Sequence, residues 1–224
     1  MIFNYWLPVL IACAAADWLA VWHGWHKLSC LAKPGALLAL LLWFGSAGRF
    51  QGDLLWFGAG FFLSLLGDVF LLLSHRFFVF GLGAFLLAHL AFIYALFWPL
   101  PGFSIPLGML AVLIALLWML LYGRLRRVLR QPGAHAKMRV PVAVYSLAIA
   151  FMLFSALLTL WRADWSFPAN GLAAAGGLLF FCSDSLLAFD RFDRPIPHAR
   201  FWVRVSYHLA QAALAAGALL HHLG

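Results

Sequence analysis

The stretch "GGLLFFCSDSLLAFDRF", Gly176–Phe192, is a run of Gly, Leu, Phe and Ala with a bare carboxylate, Asp184, set inside it. A segment this apolar reads as a membrane span, and the rest of the chain repeats the pattern. Of 224 residues, 66% are apolar and 10% charged, and the mean hydropathy is +0.96. Soluble domains sit near half apolar and a quarter charged, so this composition belongs to an integral membrane protein. All 7 acidic residues are Asp. The formal charge of +8 reflects scarce acids beside a few basic loops. No basic face alternates with polar surface, which argues against a nucleic-acid partner. Cys13, Cys30 and Cys182 lie far apart and are expected to pack as free apolar side chains. The N-terminus lacks a basic n-region and reads as a first span, not a cleaved signal.

A span needs roughly 20 apolar residues. Eight stretches qualify: Ile2–Trp22, Leu31–Ala47, Leu54–Ser74, Phe77–Trp98, Phe103–Tyr122, Val140–Trp161, Ala169–Phe189 and Phe201–His222. Short punctuators separate them, and only "GRLRRVLRQPGAHAKMR" (Gly123–Arg139) is long. The expectation is all-α: one polytopic domain over 1–224, a bundle of eight transmembrane helices. Loops rich in Lys and Arg stay cytoplasmic. Alternate loops hold every Lys and Arg except Arg49 and Arg162, so both termini are expected on the non-cytoplasmic side. The minimal loops point to a bacterial inner membrane.

Motifs of the first half return in the second. "GDVFLLLSHRF" at Gly67 resembles "SDSLLAFDRF" at Ser183, with Asp68 and Asp184 in register. "KPGALLAL" at Lys33 resembles "VPVAVYSL" at Val140, and "HLAF" at His89 resembles "HLAQ" at His208. Four spans per half is an even number, so halves of about 1–122 and 123–224 would form a parallel 4+4 repeat.

Asp68 and Asp184 then fall late in inward-running spans, each roughly 8–10 Å inside the cytoplasmic end by the helical rise. Lys33, Tyr145, Tyr207 and Gln211 reach the same layer, and His89 lies deeper. An intramembrane carboxylate is costly and marks a functional site by default. The bland alternatives are structural pairs: Asp68 with Lys33 or Arg76, Asp184 with Arg191, and Asp17 with Lys27 or Lys33. Asp53 and Asp164 read as solvated loop residues, and Asp190 and Asp193 as an interfacial ladder with Arg191 and Arg194. His23, His26, His221 and His222 lack further partners in sequence, so no metal is expected.

The "GD" before "VFLLL", "SDSLLAFDRF", the "AKP" of span 2, the "VAVYS" of span 6 and the "YHLAQ" of span 8 resemble the YhhN-like family, from about Leu31 to Ala216. Phe92 and Tyr207-His208 depart from its usual pattern, where Tyr and a Tyr-Tyr pair are common. The resemblance implies hydrolysis of the vinyl ether of a lysoplasmalogen, a lysophospholipid drawn from the membrane lipid, with no cofactor. Products would be a fatty aldehyde and glycerophosphoethanolamine or glycerophosphocholine.

That chemistry suits buried carboxylates. Protonation of the outer alkene carbon gives an oxocarbenium ion, water adds, and the hemiacetal collapses. Burial and a nearby second carboxylate keep an acid protonated, and its partner can stabilise the cation, as in glycosidases. Asp184, flanked by Ser183 and Ser185, is expected as the base and Asp68 as the acid. Lys33 would hold phosphate, while Tyr145, Tyr207, Gln211, His89 and Ser183 would line the substrate pocket in the cytoplasmic half. The alternatives are a proton-coupled transporter, whose carboxylates would carry protons, and a lipid-binding scaffold without turnover.

Overall fold

The chain builds α-helices because its apolar runs must satisfy every backbone N–H and C=O internally once water is absent. A computed structural model of the protein describes residues 4–73, 75–131 and 136–224; Ile2 and Ser74, at the ends of two expected spans, and residues 132–135 of the long connector lie outside them. Eight long helices follow in order: α1 (Trp6–His23), α2 (His26–Gly48), α3 (Leu54–Leu72), α4 (Phe78–Phe97), α5 (Ile105–Leu129), α6 (Arg139–Leu158), α7 (Ala169–Phe192) and α8 (Ala199–Leu223). There is no strand among the described residues. Seven of the eight are long and apolar enough to cross a membrane, and the protein is an integral multi-pass membrane protein. The helix that falls short of that criterion is α8, which carries Arg204, Tyr207, His208 and Gln211 buried against its neighbours.

Several boundaries depart from the sequence expectation. Gly24 takes a left-handed φ of 74°, so Trp25 N–H reaches Ala20 O at 2.7 Å in a glycine-capped turn. α2 therefore starts at His26, five residues before Leu31, and Lys33 and Pro34 sit inside the helix. Pro141 stays in the first turn of α6, where its missing N–H costs nothing. The segment "GRLRRVL" is not loop: α5 runs through it to Leu129, its arginines favourably placed at a helix C-terminus. Arg124 Nε donates to Asp193 Oδ2 at 2.8 Å, while Asp190 accepts Ile196 N–H at 2.8 Å. The expected Asp–Arg ladder is thus replaced by contacts to α5 and to backbone. Asp164 is not merely solvated; Arg162 grips both its oxygens, at 3.0 Å and 2.5 Å, and also donates to Leu96 O at 2.8 Å. That guanidinium holds the Asp164 carboxyl below its usual range. Cys30 and Cys182 are exposed, not packed inside.

The core is aromatic. Phe44, Phe57, Phe61, Phe92 and Phe180 are fully buried, and their rings run in sequence: Phe44 to Phe61 at 5.0 Å, Phe61 to Phe92 at 5.2 Å, Phe92 to Phe180 at 6.3 Å. Edge-to-face and tilted pairs of this kind add to simple burial. Small residues bring α7 against α8. A Cβ on Gly176 would lie 2.9 Å from Leu214 N, and one on Gly217 2.9 Å from Ala169 O, so both glycines permit backbone approach. Gly176→Val is expected to cost about 1–3 kcal/mol by overpacking, read as an earlier thermal unfolding midpoint in detergent. Gly83→Ala, with open space around the added carbon, should not lower that midpoint.

Candidate active site

Asp68 stands near the end of α3, fully buried. Two elements reach it. From α2, Lys33 Nζ lies 2.5 Å from Oδ1; from α8, Tyr207 OH donates to Oδ2 at 2.9 Å. A carboxylate in hydrocarbon needs such partners, because leaving the charge uncompensated costs several kcal/mol. Lys33 also lies 5.4 Å from the centre of the Tyr207 ring, so the three side chains form one packed unit.

Asp184, on α7, is held differently. Tyr145 OH, from α6, donates to Oδ2. His89 Nε2, from α4, lies 3.1 Å from Tyr145 OH and 3.4 Å from Asp184 Oδ2. Because Tyr145 donates to the acid, His89 serves as donor to the phenol oxygen. His89 Nδ1 is buried with no hydrogen-bond partner among the described residues. Among the described residues, no lysine or arginine forms an ion pair with Asp184. Its side chain is 10% exposed against 0% for Asp68, so it is the more open of the two.

Both carboxylates line one cavity. Behind the lining, the Phe180 ring lies 4.8 Å from His89 and 5.5 Å from Tyr207, which joins the aromatic core to both clusters. The walls are apolar, with Phe85, Trp118, Leu121, Ile149 and Phe181 among them, and the charged lining consists of Lys33, Asp68, Asp184, Arg191 and Arg204. An apolar chamber with a few convergent polar groups is the usual form of a small-molecule site. Among the described residues, no three His, Cys, Asp or Glu side chains converge closely enough to hold a metal ion.

The sequence profile of the YhhN family matches residues 28–218. The chain belongs to the YhhN family. It is 32% identical to the lysoplasmalogenase TMEM86B of Homo sapiens over 222 residues, covering 96% of this chain and 86% of the human protein. The human lysoplasmalogenase TMEM86A is 33% identical over 165 residues, 71% of this chain and 63% of the relative. An Escherichia coli protein described as the uncharacterized membrane protein YhhN is 36% identical over 124 residues, 48% of this chain and 56% of that one. No solved structure matches the chain significantly.

Within this YhhN protein, six of the eight residues singled out in sequence line the cavity: Asp68, Asp184, Lys33, Tyr145, Tyr207 and Ser183. The Ser183 hydroxyl, however, donates to Val203 O at 3.1 Å and ties α7 to α8. His89 stands one step behind the lining, reaching it through Tyr145. Gln211 is fully buried one turn beyond Tyr207 and is not part of the lining. Asp17 pairs with neither Lys27 nor Lys33; Ser29 Oγ donates to it at 2.6 Å and Arg204 Nη1 lies 3.3 Å away. Asp184 likewise has no contact with Arg191, which lies 3.9 Å over the Phe78 ring.

Sequence reasoning used Arg204 only as a topological charge, yet it lines the cavity. Its spacing to Tyr207 and Gln211, three and seven residues on, places all three on one helix face, and that periodicity would have found it. Trp118, whose indole donates to Ser146 Oγ at 3.1 Å, carried no such signal, being one aromatic inside a long apolar run.

Because Lys33 and Asp68 share a nearly dry environment, Lys33→Met should cost about 3–5 kcal/mol by stranding the carboxylate. Adding Asp68→Leu should recover most of that loss. Unfolding of the two single variants and the double variant in detergent gives the coupling energy; additive losses would refute the pairing.

Proposed function

We propose that this chain is a membrane-embedded, lysoplasmalogenase-type hydrolase that cleaves the vinyl ether of a lysoplasmalogen to a fatty aldehyde and a glycerophospho-base. The observation that carries the reading is the match, over 96% of this chain, to a relative named lysoplasmalogenase. The apolar cavity with two carboxylates supports it, since the reaction needs a proton donor and cation stabilisation sheltered from water.

The partners of the two aspartates favour the reverse of the roles expected from sequence. Asp68 lies against the Lys33 ammonium, a pairing that suits a carboxylate held in place to face a cation. Asp184 has no lysine or arginine partner among the described residues, and Tyr145 occupies Oδ2, leaving Oδ1 to carry a proton to the outer vinylic carbon. The resulting oxocarbenium ion is stabilised by the Asp68 carboxylate, which Lys33 and Tyr207 hold in place. Water adds to the cationic carbon and gives up a proton to that carboxylate. In the collapse, the bond from the hemiacetal carbon to the glycerol oxygen breaks, Asp68 returns its proton to that oxygen, and the hemiacetal hydroxyl gives its proton to Asp184, releasing aldehyde and restoring both side chains. His89, through Tyr145, positions Asp184. The acyl-like tail lies along Trp118, Leu121 and Ile149.

The same reading takes α8 as an eighth span of one domain over 1–224, with both termini on the non-cytoplasmic side and the site in the cytoplasmic half of an inner membrane. It also includes the duplication. Asp68 of α3 meets Tyr207 of α8, and Asp184 of α7 meets His89 of α4. With the halves divided between α4 and α5, and not at about residue 122 as expected from sequence, each half lends its aspartate to the last helix of the other, as expected of two repeats docked around an axis along the membrane normal.

Purified protein in detergent, given 1-alkenyl-glycerophosphoethanolamine or the choline analogue, should release fatty aldehyde in a coupled dehydrogenase assay. Asp68→Asn and Asp184→Asn should each lose about 10²–10⁴ in rate. The fall in rate as pH rises, which reports the acid, should persist in the residual activity of Asp68→Asn and be missing from that of Asp184→Asn. A folded wild type that releases no aldehyde with either head group would overturn the hydrolase reading and favour transport.

A further inference from the structure

We propose that Arg191, Arg200 and Arg204 form a phosphate-binding vestibule at the mouth of the two-carboxylate cavity, and that they, rather than Lys33, hold the phosphodiester of the substrate. The proposal rests on the reading that the cavity takes a lysophospholipid. A second cavity adjoins the first and shares Lys33, Leu71, Arg191 and Arg204 with it, then adds Asp190 and Arg200. The two-carboxylate chamber and the basic one therefore adjoin across shared walls. In a lysoplasmalogen the phosphorus lies only a glycerol backbone from the vinyl ether oxygen. With the ether at Asp68 and Asp184, the phosphate has to sit in the neighbouring space.

The charges in that space are not equivalent. The Lys33 ammonium lies 2.5 Å from Asp68 and is already matched by a carboxylate. Arg204 makes one contact with Asp17, 3.3 Å from Nη1, and Ser29 occupies the other oxygen of that carboxylate. A guanidinium has five N–H donors, so most of those on Arg204 remain for a ligand. Arg191 stacks its face 3.9 Å over the Phe78 ring, which fixes the plane while leaving its edges available. Arg200 is exposed on α8, one turn before Arg204 and so on the same face, and it makes no ion pair with a described carboxylate. Asp190 is the vestibule's own acid, and one of its oxygens accepts Ile196 N–H at 2.8 Å. Three guanidinium groups thus face two engaged carboxylates, an excess of fork-shaped donors suited to phosphate oxygens.

Phosphate could come from the substrate or from bilayer lipids touching the same arginines, so the test is run in a sugar-headed, phosphate-free detergent. Aldehyde release is measured for 1-alkenyl-glycerophosphoethanolamine and for 1-alkenyl-glycerol, which lacks phosphate. In wild type the ratio of their kcat/KM values favours the phosphate-bearing substrate. Arg200→Gln and Arg191→Gln should each lower that ratio about tenfold, the worth of one charge-assisted hydrogen bond, with the loss entering through KM. Arg200→Lys should recover part of it. Arg204→Gln should do the same where it folds; the other two variants decide the matter if it does not. An unchanged ratio, or no phosphate preference in detergent with preference only in phospholipid nanodiscs, overturns the proposal. If wild type cleaves neither substrate, the hydrolase reading fails separately. The vestibule is then tested by binding of lysophosphatidylcholine against monoacylglycerol, followed by the fluorescence of Trp118 in the cavity wall. Tighter binding of the phosphate-bearing lipid, lost in Arg200→Gln, sustains it; equal binding sinks it.

Discussion

A carboxylate that leaves water must be given its charge partner by the protein, and Asp68 dictates much of this bundle for that reason. Lys33 comes from α2, Tyr207 from α8 and the aspartate from α3, so three helices meet at one point with little freedom to slide. In a membrane no hydrophobic force drives helices together; packing and polar contacts must do it. The buried pair at Asp68 and the glycine-mediated approach of α7 to α8 supply both. Lys33 begins the third turn of α2 only because Gly24 lets that helix start at His26.

The second aspartate is tied without a permanent cation. Tyr145 and His89 hold Asp184 through a phenol and an imidazole, and the side chain remains partly open to the cavity. The contrast matters for the proposed chemistry. Two carboxylates in identical settings would share one role, whereas an ammonium beside one and a phenol beside the other separates a charge stabiliser from a proton donor.

The cavity's walls are mostly aromatic and aliphatic, which suits a lipid tail, and Lys33, Arg191 and Arg204 stand among them, which suits a phosphate. Phe180 touches both His89 and Tyr207, so a shift in the aromatic core would reach both aspartates at once.

Much of this was legible in the sequence. Composition and the length of the apolar runs require a polytopic helical bundle, because nothing else satisfies backbone polar groups in hydrocarbon. The rarity of intramembrane charge singles out Asp68, Asp184 and Lys33, since each has a cost that needs a reason. Helix ends were less legible: Gly24 and the arginines after Tyr122 look like loop in a hydropathy count, yet a left-handed glycine and a helix dipole placed them at helix termini. Partners were not legible at all. Which cation meets Asp68, that Arg204 serves Asp17, and that Tyr145 and His89 converge on Asp184 depend on how helices far apart in the chain rotate and slide against one another. Hydropathy fixes whether a helix enters the membrane but is indifferent to its rotation; only close packing against specific neighbours selects the facing side chains.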